Sequence, residues 1–175
     1  MSALSQDRTR RLRGLPLFTE VSDDDLAMVA ETGRWQTFQA GEVVLRAGDE
    51  GADLLVTTLG RFEVVLGSPP ARTSLATVNA GELLGEAVLY RRSVARSADV
   101  IALVEGEALR LSNAELEALI RVGNGVPRAI EAAVLRTLAR RIQKSRELVQ
   151  SMLRGDEAPA SSGGFFARLK GLIGR

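Results

Sequence analysis

Cysteine and histidine are both absent from this chain of 175 residues. Their absence removes disulfides, zinc sites of the usual ligand types, cysteine–histidine nucleophiles and serine–histidine–aspartate triads. No run of about 18 apolar residues occurs, so no segment has the length and hydropathy of a membrane-spanning helix. An apolar signal segment is lacking too: Met1 to Arg13 is polar and carries four arginines. The expectation is a soluble cytoplasmic protein. A dominant charge of one sign is also missing. Lysine and arginine number 23 against 22 aspartates and glutamates, for a net charge of +1. Such a chain has no global field with which to gather nucleic acid.

What is present suffices for a core. The chain is 45% hydrophobic, and its length suits one domain with a short appendage. Residues 8–33 read as helical, with a break at Gly14-Leu15-Pro16. Asp7 and Ser22 are the candidate N-caps. Asp23, Asp24 and Asp25 lie where the dipole of a second helix favours acid. Leu26, Val29 and Ala30 form its apolar stripe, and Gly33 closes it.

From Trp35 to Leu111 the period changes. Trp35–Phe38, Glu42–Arg46, Asp53–Thr58, Arg61–Leu66, Thr73–Val78 and Val100–Leu111 are strand-like. Turns containing Gly41, Gly48, Gly60, Gly67 and Gly81 separate them. Many short strands at near-regular spacing predict a β-sandwich or jelly roll. Helix resumes at Ser112, where Ser112 and Glu115 offer a capping box. Gly123-Asn124-Gly125 breaks it, and Pro127 sits in the first turn of a long helix to about Arg154. The fold class is therefore α+β: a β jelly roll flanked by N-terminal helices and a long C-terminal helix. Residues 1–154 form the domain, with the long helix over about 127–154. Gly155 to Gly164 has the composition of a flexible linker. Phe165 to Arg175 is a short amphipathic tail, with Phe165, Leu169, Leu172 and Ile173 at helical spacing.

Chemistry concentrates in Gly85 to Val100, GEAVLYRRSVARSADV. Gly-Glu can open a short helical turn whose first N–H groups face an anion. Glu86 can hold a sugar hydroxyl beside them, and Arg96 can pair with the anion through its planar fork. This stretch resembles the phosphate-binding cassette of cyclic nucleotide-binding domains. Its spacing from Gly85 and Glu86 to Arg96 is that of bacterial catabolite activator proteins. The turn pattern Gly41, Val43-Val44, Gly48-Asp49, Leu54–Val56 and Gly60 is similar to the same family. The resemblance covers about Leu12 to Leu153.

The resemblance implies roles residue by residue. Backbone N–H groups of Gly85, Glu86 and Ala87 would meet a cyclic phosphate, and the Glu86 carboxylate would take the ribose 2′-hydroxyl. Arg96 would pair with the exocyclic phosphate oxygens, and Ser97 would touch phosphate and purine. Leu83 and Leu84 would lie near the sugar, with Val56 and Val65 as candidates for the wall beside the base. The family usually carries a large aliphatic residue at position 87 and a small one at 88; Ala87 and Val88 exchange these sizes. Arg91 and Arg92 are read as a solvated pair, or as a sign of a more anionic ligand such as a cyclic dinucleotide.

Leu135, Leu138, Ile142, Ser145, Val149 and Met152 fall at spacings of three and four, a heptad seam. Its two readings are a helix packed on its own roll and a parallel homodimer. The resemblance implies the second, and also that Ser145 and Arg146 contact the purine amino group, partly across the dimer. The basic cluster Arg136, Arg140, Arg141, Lys144 and Arg146 reads as a solvated face. Catabolite activators continue into a DNA-binding helix-turn-helix; here a linker and the eleven-residue tail follow instead, so direct DNA binding is not expected. The expected function is a non-catalytic cyclic nucleotide sensor, cAMP-preferring, that acts on a separate partner through the tail. cGMP and a cyclic dinucleotide are the alternative ligands. A ligand-free scaffold is the alternative function. For the tail, a protein groove is expected, ahead of self-docking or a membrane surface.

Overall fold

The computed structural model describes residues 3–67, 71–89 and 94–154, with their side chains except at positions 94, 141, 144, 145, 148, 149 and 151–154. The linker, the tail and the Arg91-Arg92 pair lie outside the described residues. Two helices come first, α1 (Ala3–Arg13) and α2 (Asp23–Thr32), joined through a 3₁₀ turn at Pro16–Phe18. Ser22 caps α2, its Oγ accepting from the Asp25 N–H, and the three aspartates fill the first turn as anticipated. Asp7 is not a cap. It lies inside α1 and pairs with Arg11 one turn on, at 2.9 Å.

Among the described residues ten strands follow: β1 (Arg34–Phe38), β2 (Val43–Leu45), β3 (Glu50–Gly51), β4 (Asp53–Leu59), β5 (Arg61–Leu66), β6 (Thr73–Asn79), β7 (Leu83–Leu84), β8 (Val94–Ala95), β9 (Asp99–Ala102) and β10 (Gly106–Ser112). One antiparallel sheet has the order β1-β10-β4-β7, a second β2-β9-β5-β6, and β3 pairs with β8 in a small ribbon. The single strand expected over Val100–Leu111 is two strands in different sheets. Leu103-Val104-Glu105 carries the chain across, and β10 starts at Gly106, where a Cβ would sit 2.7 Å from the Phe62 ring.

The first sheet is covered on both faces, and β4 is accordingly buried without a break from Leu54 to Thr58. Leu54 and Val56 of β4, with Leu109 and Leu111 of β10, pack against Leu12, Phe18, Leu26 and Val29 from the N-terminal helices. Leu55 and Ala108, pointing the other way, join Phe38, Val44, Phe62, Val100 and Ala102 inside the roll. Each fully buried large apolar side chain contributes about 1.5–3 kcal/mol.

Ser112 and Glu115 form the capping box of α3 (Asn113–Arg121). The last helix, α4 (Val126–Arg154), starts just before Pro127. Its first residues Val126 and Ile130 bury against the helical side of the core. The chain divides into two compact units, residues 1–134 and 135–175, with the boundary inside α4. Along the second unit Leu135, Leu138 and Ile142 are exposed. Among the described residues, no helix is long and apolar enough to cross a membrane, and no acidic cluster is arranged to hold a metal.

Candidate ligand-binding site

β7 is short, but its pairing fixes the cassette. Leu84 lies opposite Leu55 and Leu83 opposite Val56, so the chain leaves β4's flank at Gly85. Gly85 has φ of +76°, a conformation open to glycine and costly for other residues. A 3₁₀ turn follows at Glu86–Leu89, with the Val88 N–H donating to the Gly85 carbonyl at 3.3 Å. Val88 is buried on the helical side of the core and Leu89 packs beside it, so the turn is anchored from beneath. The exchanged sizes at 87 and 88 follow from this: the large residue points down, and Ala87 is exposed. Glu86 is half-buried.

Arg96 comes from the other side. Its N–H donates to the Asp49 carbonyl and its own carbonyl accepts from the Gly48 N–H, each at 2.9 Å, extending the β3–β8 ribbon. The side chain is 8% exposed. It crosses Gly51 closely enough that a Cβ there would overlap the guanidinium. Nη2 donates to both the carbonyl and the carboxylate of Asp53, each at 2.8 Å. Nη1 lies against Gly85, where a Cβ would overlap it. The structure thus brings Gly85 and Arg96 together, with Glu86 and Ala87 in the turn that follows and Ser97, exposed, next to Arg96. Arg146 is exposed in the second unit; the side chain of Ser145 lies outside the described residues. An open cavity of about 170 Å³ adjoins the arginine, lined by Val44, Arg46, Asp49, Asp53, Arg96 and Arg110 among others.

Of the two valines expected as a wall, Val56 faces the helices. In β5, Val65 is buried at 3% exposure and Val64 is partly buried against the roll interior. Leu84 does face that interior, while Leu83 packs on the helical side. Three participants were not anticipated: Asp53, Arg110 and Gly51. Asp53 was legible only as the first residue of a strand. A carboxylate directly before Leu54-Leu55-Val56 was the available signal, since burial demands a cationic partner.

Gly51→Ala tests the close approach. The new Cβ would displace the Arg96 fork without demanding a positive φ. Stability is expected to fall by about 1–3 kcal/mol, since the displaced fork leaves its bonds to Asp53. Nucleotide affinity is expected to fall on the order of ten-fold or more, because bidentate recognition depends on the fork's position. Parallel melting and titration of the variant check both; unchanged affinity contradicts the placement of Arg96.

The fold and the site together define a class: a β-roll with a helical cover, in which a glycine-led turn is opposed by a buried arginine. Residues 35–122, half of the chain, match the profile of the cyclic nucleotide-binding domain, and the chain belongs to that family. It is 30% identical over 113 residues to the cGMP-dependent protein kinase, isozyme 1, of Drosophila melanogaster, covering 62% of this chain and 15% of the kinase. The N-terminal domain of a transcriptional regulator from Streptomyces coelicolor A3(2) is similar at 31% identity and a TM-score of 0.59, covering 79% of this chain and 94% of that one. A cyclic nucleotide-binding domain from Methylobacillus flagellatus KT shares the fold at a TM-score of 0.66 and 20% identity, covering 89% and 86%. The chain spans between 15% and 29% of the length of the curated relatives it matches.

Proposed function

We propose that this chain is a non-catalytic, dimeric cyclic nucleotide sensor, preferring cAMP, that reports occupancy to a separate partner protein. The observation that carries the reading is the buried Arg96 fork, held with Nη1 at Gly85 where the glycine-led turn begins. A buried guanidinium beside the first N–H groups of a turn suits a singly charged phosphate diester. Glu86, in that turn, supplies the acceptor for a ribose hydroxyl. With neither cysteine nor histidine in the chain, thiolate nucleophiles and imidazole general bases are unavailable to it. The similar proteins couple to unlike outputs, a kinase and a transcriptional regulator by name, which fits a sensor whose effect lies in what it is joined to. The tail, Phe165 to Arg175, is the proposed contact with the partner: eleven residues are marginal as a free helix and would order against a groove.

Two observations favour rival readings. The kinase relative is named for cGMP, which makes cGMP the competitor for ligand. Arg96 already has an anionic partner in Asp53, which favours a ligand-free scaffold. Displacement of a fluorescent cyclic nucleotide by cAMP, cGMP, a cyclic dinucleotide and 5′-AMP separates these. cAMP is expected to displace best and 5′-AMP poorly. Tighter displacement by cGMP or the dinucleotide overturns the preference, and absence of any cyclic nucleotide binding selects the scaffold.

The dimer is proposed from α4. Leu135, Leu138 and Ile142 are 56%, 37% and 69% exposed, a heptad-spaced apolar stripe that resumes in sequence at Val149 and Met152 after the polar Ser145. Burying that stripe against a second copy removes apolar surface from water. Sedimentation of the full chain is expected to show a dimer, and Ile142→Lys a monomer. A parent chain that stays monomeric at high concentration, with and without nucleotide, contradicts the seam.

A further inference from the structure

We infer that Asp53 is a positioning residue of the anion site, and that Arg110 and Arg34 in turn hold Asp53. The inference rests on the reading of this pocket as a nucleotide phosphate site. Asp53 opens β4 with its carboxylate 14% exposed. Its Oδ1 accepts from Arg96 Nη2 at 2.8 Å, and its Oδ2 accepts from Arg110 Nη1 at 2.9 Å. Arg34 Nη2 stands 3.7 Å from the same Oδ2. Arg34 and Arg110 are register partners across β1 and β10, so both cations come from the sheet that carries Asp53.

The two edges of the Arg96 fork therefore have different duties. Nη2 is tied to Asp53, through carbonyl and carboxylate together. Nη1 is left directed at Gly85. An arginine fixed in this way loses less conformational freedom when it captures an anion. Three arginines face the one carboxylate of Asp53, so Asp53 alone does not neutralise the cations that meet it. Arg110 donates from Nη1 to Asp53 while its Nε is buried with no hydrogen-bond partner among the described residues.

The test uses the full chain, Asp53→Asn, Arg110→Gln and the variant carrying both, with cAMP calorimetry and ¹⁵N NMR of the Arg96 guanidinium. In the parent, a tethered fork gives slow rotation about the Cζ–N bonds and a protected Nε–H. Asp53→Asn is expected to speed that rotation and to weaken cAMP binding on the order of ten-fold, since a charge-assisted bond becomes a neutral one. Arg110→Gln loosens the hold on Asp53 from the far side of the carboxylate and is expected to shift both readouts in the same direction by a smaller amount. If Asp53→Asn fails to fold, Arg110→Gln and the charge-balanced double variant decide. Unchanged guanidinium dynamics, or cAMP affinity that is equal or tighter in the folded variants, overturns the inference; tighter binding would make Asp53 a competitor. If the parent binds no cyclic nucleotide, the reading of the pocket fails. The NMR comparison still decides the tether: faster rotation in Asp53→Asn supports it, and unaltered rotation overturns it.

Discussion

Arg96→Ala is expected to abolish cyclic nucleotide binding while the chain remains folded. Each charge-assisted hydrogen bond contributes about 1.5–3 kcal/mol. Loss of the Nη1 edge, with the buried charge behind it, therefore weakens binding by about 10- to 100-fold or more. The fold has reason to survive the change. Asp53 does not become an orphaned buried charge, because Arg110 stays at 2.9 Å from its other oxygen. The backbone of residue 96 keeps its two bonds to the Gly48–Asp49 turn. Arg96→Lys is expected to lose most of the affinity as well, since an ammonium cannot hold Asp53 and present a second edge at Gly85 in one plane. Titration of each variant alongside thermal melting checks the prediction. A lysine variant that binds as tightly as the parent would show that charge alone suffices and that fork geometry does not matter.

The second large effect is on stability. Phe62→Ala is expected to cost about 3–5 kcal/mol, a large part of the 5–15 kcal/mol that holds a typical domain together. Phe62 is fully buried inside the roll and meets Phe38 edge to face, with ring centroids 6.0 Å apart. Its ring also fills the space that Gly106 leaves at the crossover between sheets. Removal takes away apolar burial, an aromatic pair and the wedge between the β9–β10 connection and β5. Urea unfolding of parent and variant measures the difference. A loss below about 1 kcal/mol would mean that the interior can collapse around the hole, contrary to the packing described.

Local chemistry marked much of this molecule in its sequence. Ser22 and Ser112 cap helices as their surroundings suggested. The five turn glycines, Gly41, Gly48, Gly60, Gly67 and Gly81, all have positive φ. Gly85 and Arg96 come together as the cassette spacing implied. What stayed hidden depends on contacts distant along the chain. The pairs Leu83–Leu84 and Val94–Ala95 are too short to show a period, and become strands only through β4 and Glu50–Gly51. Val56 packs on the helical side, which its own strand does not announce: Leu54, Leu55 and Val56 are apolar in succession, so period two gives no direction there. Asp53 and Arg110 are 57 residues apart, and no local pattern announces that a strand-opening acid will gather three arginines.

The most direct test of the central claim is calorimetric titration of the full chain with cAMP, run in parallel with Arg96→Ala. Saturable binding at one nucleotide per chain, lost in the alanine variant, is the expected result. A parent chain that gives no heat of binding and no shift in melting temperature with cAMP, cGMP or a cyclic dinucleotide would contradict the claim, and would leave Arg96 as a structural partner of Asp53.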